Sequence, residues 1–245
     1  MLLSIPDMTP RADKVHVKRD NETETWRSDY TERRAGVPQL LLVEQPLPGS
    51  KIMPHFHGVD QFQVVVGGSG RLGQHEVGPV SLHYTNRNTA YGPIEAGADG
   101  LSYYVLRPEF AVNGSHYLHL PEERARMPRG GKHYYMSECL ALAPLDELKA
   151  LREPRVQRLM AVETGDAAGA FADLLSLPPR AAYRGADPGG GGGQVFLVLR
   201  GALHHHAEIL AAPASVALTA DEAALTFTAG ADGLQLLMLQ YPRRA

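Results

Sequence analysis

The chain has 245 residues, with 24 Lys and Arg against 27 Asp and Glu, a formal net charge of −3. A charge this close to neutral argues against nucleic acid or an acidic membrane surface as the main partner. Hydrophobic residues at 44% with charged residues at 21% argue against wholesale disorder, and one cysteine, Cys139, excludes both an internal disulfide and a cysteine-based zinc site.

Along the chain, the opening stretch is broken by Pro6, Asp7 and Pro10. It lacks the uninterrupted apolar run of a secretion signal, so a cytoplasmic location is expected. No window approaches the roughly 20 apolar residues of a membrane span. Lys14 to Arg34 is polar and reads as a solvated arm or an edge strand. Gln39–Glu44, Gln61–Val66, Leu101–Leu106, Gln194–Leu199 and Leu234–Tyr241 are rich in Val, Leu, Phe and Tyr and bounded by Gly or Pro, which predicts short strands. GGSG around Gly68 reads as a hairpin turn, Pro144 to Arg152 as a short amphipathic helix, and the run of five glycines after Pro188 as a flexible loop. That run is no phosphate cradle, because neither a Lys-Ser/Thr nor a helix follows it.

The chain repeats itself once. AGADGL stands at Ala96–Leu101 and again at Ala229–Leu234, an offset of 133 that also carries Gln61 onto Gln194 and Gly68 onto Gly201. The apolar pattern between these anchors aligns without a gap, QFQVVVGGSG over QVFLVLRGAL and LSYYVLRP over LQLLMLQYP. A duplication divides the chain into an arm at 1–34, a first domain at 35–110, a connector with the short helix at 111–154, and a second domain at 155–245. Two duplicated units of short strands predict an all-β protein of two barrels or sandwiches.

The sharpest local pattern is Gly49, five residues, His55-Phe-His57, three residues, Gln61, six residues, Gly68. In extended chain His55 and His57 point to one side, and two neutral imidazoles there can converge on one transition metal. The spacing resembles the first motif of the cupin superfamily, with Gln61 in place of the family's usual glutamate. The resemblance implies two jelly-roll barrels, a bicupin, with the motif histidines pointing inside the first. The second motif would lie between Gly78 and Glu95, where the third-ligand position falls near Tyr91, beside Thr89, while His83 lies early. The ligand set implied is therefore His55, His57 and Gln61, with Tyr91 as ligand or as acid/base. Glutamine brings no charge to a divalent ion, so such a site binds metal more weakly and favours an anionic ligand to complete it. At the offset of 133, His55 falls on Pro188 and His57 on Gly190, so the second domain has lost the pair.

Gln63 follows Gln61 at period two and can share its face, while Arg71 and His83 are further candidates for substrate contact. His204 to His206 align with Arg71 to Gly73, away from the ligand positions, and read as surface or barrel wall. His116, His119 and His133 read as connector-loop residues, and Cys139 as buried. Two functional readings follow from the resemblance. One is an enzyme holding Fe, Zn, Ni or Mn and acting on a small molecule as a dioxygenase, isomerase or decarboxylase. The other is a metal-free pocket that binds or senses a metabolite. A small molecule is the expected partner in both, with no nucleic acid or membrane, and a homodimer is left open.

Overall fold

The apolar runs form strands, and most are longer than the sequence suggests. The computed structural model describes residues 1–18, 23–128 and 132–243. Within it the chain divides into two compact units, Pro10–Leu140 and Met1–Thr9 with Ala141–Ala245. Secondary structure is nearly all β, with short α-helices at Pro121–Ala125 and Leu145–Ala150. No helix among the described residues is long and apolar enough to cross a membrane.

In the Pro10–Leu140 unit the main sheet runs Tyr134–Met136, Leu82–Thr85, Gln61–Leu72, Ile94–Arg107, Gln39–Gln45, Glu24–Asp29, Val15–Lys18. Its strands pair antiparallel, with Gln63 opposite His83 and Leu106 opposite Phe62. Alternate residues of these strands, among them Leu41, Val43, Val65, Tyr103 and Val105, form the buried cluster. In the other unit the order is Leu2–Ile5, Ala214–Leu218, Gln194–His205, Thr226–Gln240, Phe171–Leu177, Arg155–Ala161. Its core is built from Phe196, Val198, Val216, Phe227, Leu236 and Met238.

The expected segments are redistributed between the units. The arm expected at 1–34 is split: Leu2–Ile5 pairs with Ala214–Leu218, whereas Val15–Lys18 and Glu24–Asp29 extend the sheet of the Pro10–Leu140 unit. The expected connector is split as well. His116–Tyr117 pairs with His55–Phe56 and Tyr134–Met136 with Leu82–Thr85, so this half belongs with the first repeat. The helix Leu145–Ala150 falls within the span expected for it.

Two glycine features differ from the sequence reading. GGSG is not a hairpin turn but lies inside the continuous strand Gln61–Leu72, bulged against Ala96–Leu101. Gly68 has φ +70°, and a Cβ there would run into the Gly100 carbonyl; Gly201 has φ +71° and meets Gly233 in the same way. The glycine run is packed. A Cβ on Gly191 or Gly192 would collide with the carbonyl oxygens of Tyr241 and Pro242, so close backbone approach explains the composition. Cys139, expected to be buried, is exposed: it lies on the outer edge of the sheet, between the backbone bonds of Ser137 to Leu82 and Leu140 to Val80, with Sγ 3.3 Å from the Ser81 hydroxyl.

Candidate functional site

Pairing of the short His55–Phe56 strand fixes the histidine motif. Tyr117 lies opposite His55 on one side. On the other, the His55 N–H donates to the Tyr91 carbonyl at 3.1 Å and the Tyr91 N–H donates to the His55 carbonyl at 3.0 Å. The bridge sets the Tyr91 ring 4.5 Å from that of His55, with His57 5.1 Å from His55 between ring centroids. The N–H of Asn88 donates to the His57 carbonyl at 2.7 Å and holds the loop before Tyr91 over the motif.

Both imidazoles are buried and anchored through Nδ1. His55 Nδ1–H donates to the Met53 carbonyl at 2.8 Å, and His57 Nδ1–H to the Gly114 carbonyl at 2.7 Å. In each ring the lone pair is thereby assigned to Nε2. Burial, then the nearby Arg107 charge and then His55 hold the His57 pKa well below the ordinary imidazole value, so the ring stays neutral.

Arg107, on the last strand of the first repeat, occupies the centre of this arrangement. Its Nη2–H donates to His57 Nε2 at 2.9 Å, its Nε–H to Gln61 Oε1 at 3.1 Å and its Nη1–H to Gln39 Oε1 at 2.7 Å. The strand register makes the bond to Gln61 possible, because Leu106 opposes Phe62 and the next residue on each strand comes into line. Arg107 is 8% exposed and Gln61 is fully buried, with Gln61 Nε2 lacking a hydrogen-bond partner among the described residues.

The remaining expected residues separate into two groups. Gln63 and His83 face each other across neighbouring strands, with His83 Nδ1–H donating to Gln63 Oε1 at 2.7 Å. Burial, then the nearby histidines His75 and His55, lower the His83 pKa to about 3, and His83 Nε2 has no hydrogen-bond partner among the described residues. Gln63 reaches the cavity described next; His83 lies behind it, 5.2 Å from Tyr91 between ring centroids. Arg71 stands apart, its side chain 53% exposed and ion-paired to Glu76 at 3.2 Å across the adjoining hairpin. Its strand position turns it to solvent, away from the histidines.

His55, His57, Gln63, Tyr91 and Arg107 line one cavity of about 150 Å³. Its other charged lining residues are Arg27 and Arg33, and no Asp or Glu lines it among the described residues. Arg27 donates through Nε–H to Asp29 at 2.9 Å, and Arg33 lies over the Phe110 ring at 5.3 Å. Sequence reasoning missed Arg107 and Gln39. The available signal was a lone charge closing the apolar run LSYYVLR, at the end that aligns with Gln61.

The two histidines are oriented as metal ligands usually are, through Nδ1 anchored to backbone carbonyls. The rest of the set does not complete a divalent-cation site. The Arg107 guanidinium takes the one lone pair of His57 Nε2 and also donates to Gln61 Oε1, and a second cation there would stand against its charge. No group of three or more His, Cys, Asp or Glu among the described residues is arranged to hold a metal ion.

No family model matches the sequence, and no curated protein matches it. Solved structures do match. A putative dioxygenase from Nostoc punctiforme aligns over 99% of this chain and 82% of its own, with a TM-score of 0.60 at 12% identity. Oxalate decarboxylase from Lactobacillus farciminis, solved as a formate complex, aligns over 100% and 86%, with a TM-score of 0.58 at 11% identity. The bacterial pirin YhhW from Escherichia coli, solved with nickel(II), aligns over 99% and 100%, with a TM-score of 0.56 at 11% identity. The fold is therefore all-β and of cupin jelly-roll type in both repeats.

Proposed function

We propose that this is a cupin-type protein that binds a small molecule in the cavity of its Pro10–Leu140 unit, with His55, His57, Gln63 and Tyr91 as contact residues. One observation carries the reading: two buried histidines, each fixed through Nδ1, converge with Tyr91 on a single cavity. Buried, neutral imidazoles facing one cavity are candidates for contact with a ligand or for proton transfer. A cytoplasmic setting suits this role. In chemical terms, Tyr91 can donate a hydrogen bond to a bound oxygen or move a proton, and the His55 imidazole beside it can accept one.

The second reading is a metal-dependent enzyme of the dioxygenase, isomerase or decarboxylase type. Anchoring of both histidines through Nδ1 favours it, as do similar folds in a putative dioxygenase, an oxalate decarboxylase and a nickel-bound pirin. It requires the Arg107 guanidinium to leave His57 Nε2.

A thermal-shift screen of the untagged full chain against organic acids, sugars, aromatic alcohols and nucleosides tests the primary reading. At least one class should raise the melting temperature, and the rise should vanish in His55→Ala/His57→Ala. A panel in which nothing shifts the wild type, or a shift that survives the double variant, overturns it.

A further inference from the structure

We propose that Arg107 is a built-in cation standing between His57 and Gln61 in place of a metal, and that the cavity it serves takes a small carboxylate without any metal. The inference rests on the small-molecule reading above and adds the ligand's chemical class and the means of holding its charge.

Three observations lead there. The guanidinium bridges two of the atoms that the motif would present to a metal, His57 Nε2 at 2.9 Å and Gln61 Oε1 at 3.1 Å. Gln39 fixes it from the far side at 2.7 Å, so the group is held at three points rather than swinging into the cavity. A planar group held in this way keeps its orientation, and guanidinium geometry matches the two oxygens of a carboxylate.

The second observation is the charge of the wall. Arg27, Arg33 and Arg107 line the cavity, with no Asp or Glu beside them among the described residues. The third is donor excess. Gln61 Nε2 is a buried amide donor without an acceptor among the described residues, behind the cavity wall and next to the guanidinium it helps to hold, so the surroundings of the guanidinium carry donors and no compensating carboxylate. A positively charged lining is complementary to an anion, and a cavity of about 150 Å³ limits that anion to a small one.

The repeat supplies a control within the molecule. At the offset of 133, Arg107 corresponds to Gln240 and Gln61 to Gln194, and Gln194 Nε2–H donates to Gln240 Oε1 at 2.8 Å. The same cross-strand contact thus exists with and without a charge. Arg107→Gln is accordingly the replacement that this fold already accommodates.

The test uses the untagged full chain after treatment with a chelator. Sodium oxalate, succinate and benzoate are titrated calorimetrically, with oxamide, succinamide and benzamide as neutral counterparts, into the wild type and Arg107→Gln. Separate equilibrium dialysis against Co(II) and Ni(II) reads metal binding directly. At least one carboxylate should bind the metal-free wild type more tightly than its amide, and Arg107→Gln should weaken it by at least about 10-fold, the loss of one charge-assisted hydrogen bond. The wild type should take up cobalt and nickel far below one ion per chain.

Carboxylate binding that appears only with added metal overturns the proposal, as does equal affinity in a folded Arg107→Gln. Stoichiometric cobalt with a ligand-field absorption that His57→Ala removes also overturns it. Should Arg107→Gln not fold, the chelated wild type decides alone, since metal-free carboxylate binding supports the proposal and its absence overturns it. Amides that bind while carboxylates do not would sink this inference and leave the small-molecule reading standing. A silent thermal-shift panel would sink that reading itself.

Discussion

The two repeats share a backbone and differ inside. The Gln63–His83 cross-strand pair of the first repeat stands, 133 residues on, as Phe196–Val216 in the same register. His55, His57 and Tyr91 give way to Pro188, Gly190 and Ala224, and Arg107 to Gln240. Phe196 packs edge-on against Phe227 with ring centroids 5.8 Å apart, within an apolar cluster that also holds Val198, Val216, Leu236 and Met238. The glycine bulge is unchanged, with Gly68 and Gly201 differing by one degree in φ. The lesson is that the sheet and its bulges specify the fold, whereas the inward-facing residues are free to build either a filled core or a polar cavity.

The sharpest way to break this comparison is to empty the filled interior. Phe196→Ala should cost about 3–5 kcal/mol in denaturant unfolding, the range for removing a fully buried aromatic ring, and leave ligand affinity in the other unit unchanged. A loss under about 1 kcal/mol would mean that the ring fills no core.

Removing the cation from the polar interior is the next largest effect. Arg107→Ala leaves His57 Nε2 and Gln61 Oε1 without their donor and Gln39 Oε1 with only the longer bond from the Ala111 N–H, at a cost of about 2–3 kcal/mol. The matching truncation, Gln240→Ala, should cost about 1 kcal/mol, because it removes neutral hydrogen bonds to Gln194 and Gly169. Equal losses in the two variants would show that the charge at position 107 makes no structural difference.

Titration separates the interiors further. His83 is neutral in the fold down to about pH 3 but takes a proton near pH 6.5 when unfolded. The unfolded chain therefore binds more protons between those values, and stability falls as pH drops from about 6.5 toward 3. The slope from this one group is at most about 1.4 kcal/mol per pH unit, and burial of His57 adds a slope of the same sign. His83→Val, which copies Val216, should flatten the slope in acid unfolding measurements; an unaltered slope would mean that His83 is not held neutral. The smallest effect belongs to Arg71→Ala. It breaks an exposed pair with Glu76 and should change stability by less than about 0.5 kcal/mol without altering ligand affinity.

Much of this was legible in the sequence because it is local or periodic. The offset of 133, the positions of the long strands and the one-sided histidine pair are all patterns over a few residues. Tyr91 was also legible, since the bridge to His55 brings it where the motif spacing expects a third group. What escaped depends on register. Arg107 ends an apolar strand and reads as a surface charge until the pairing of Leu106 with Phe62 turns it inward toward Gln61. Arg71 turns outward for the converse reason, because the register skip between Val65 and Gly67 breaks the alternation that carries Gln61 and Gln63 inward.

The strand Leu2–Ile5 carries a consequence for synthesis. Leu2 lies opposite Leu218 and Ile5 opposite Ser215, so this strand emerges from the ribosome long before the edge it completes. Between the two events the whole Pro10–Leu140 segment is made, and it is continuous in sequence, free to fold as it appears. Leu2–Ile5, by contrast, waits through that interval for its partner, and if it is lost the Ala214–Leu218 edge is left open to pairing with another chain. An amino-terminal fusion or truncation would therefore be felt first as aggregation of the carboxy-terminal half, far from the altered residues in sequence.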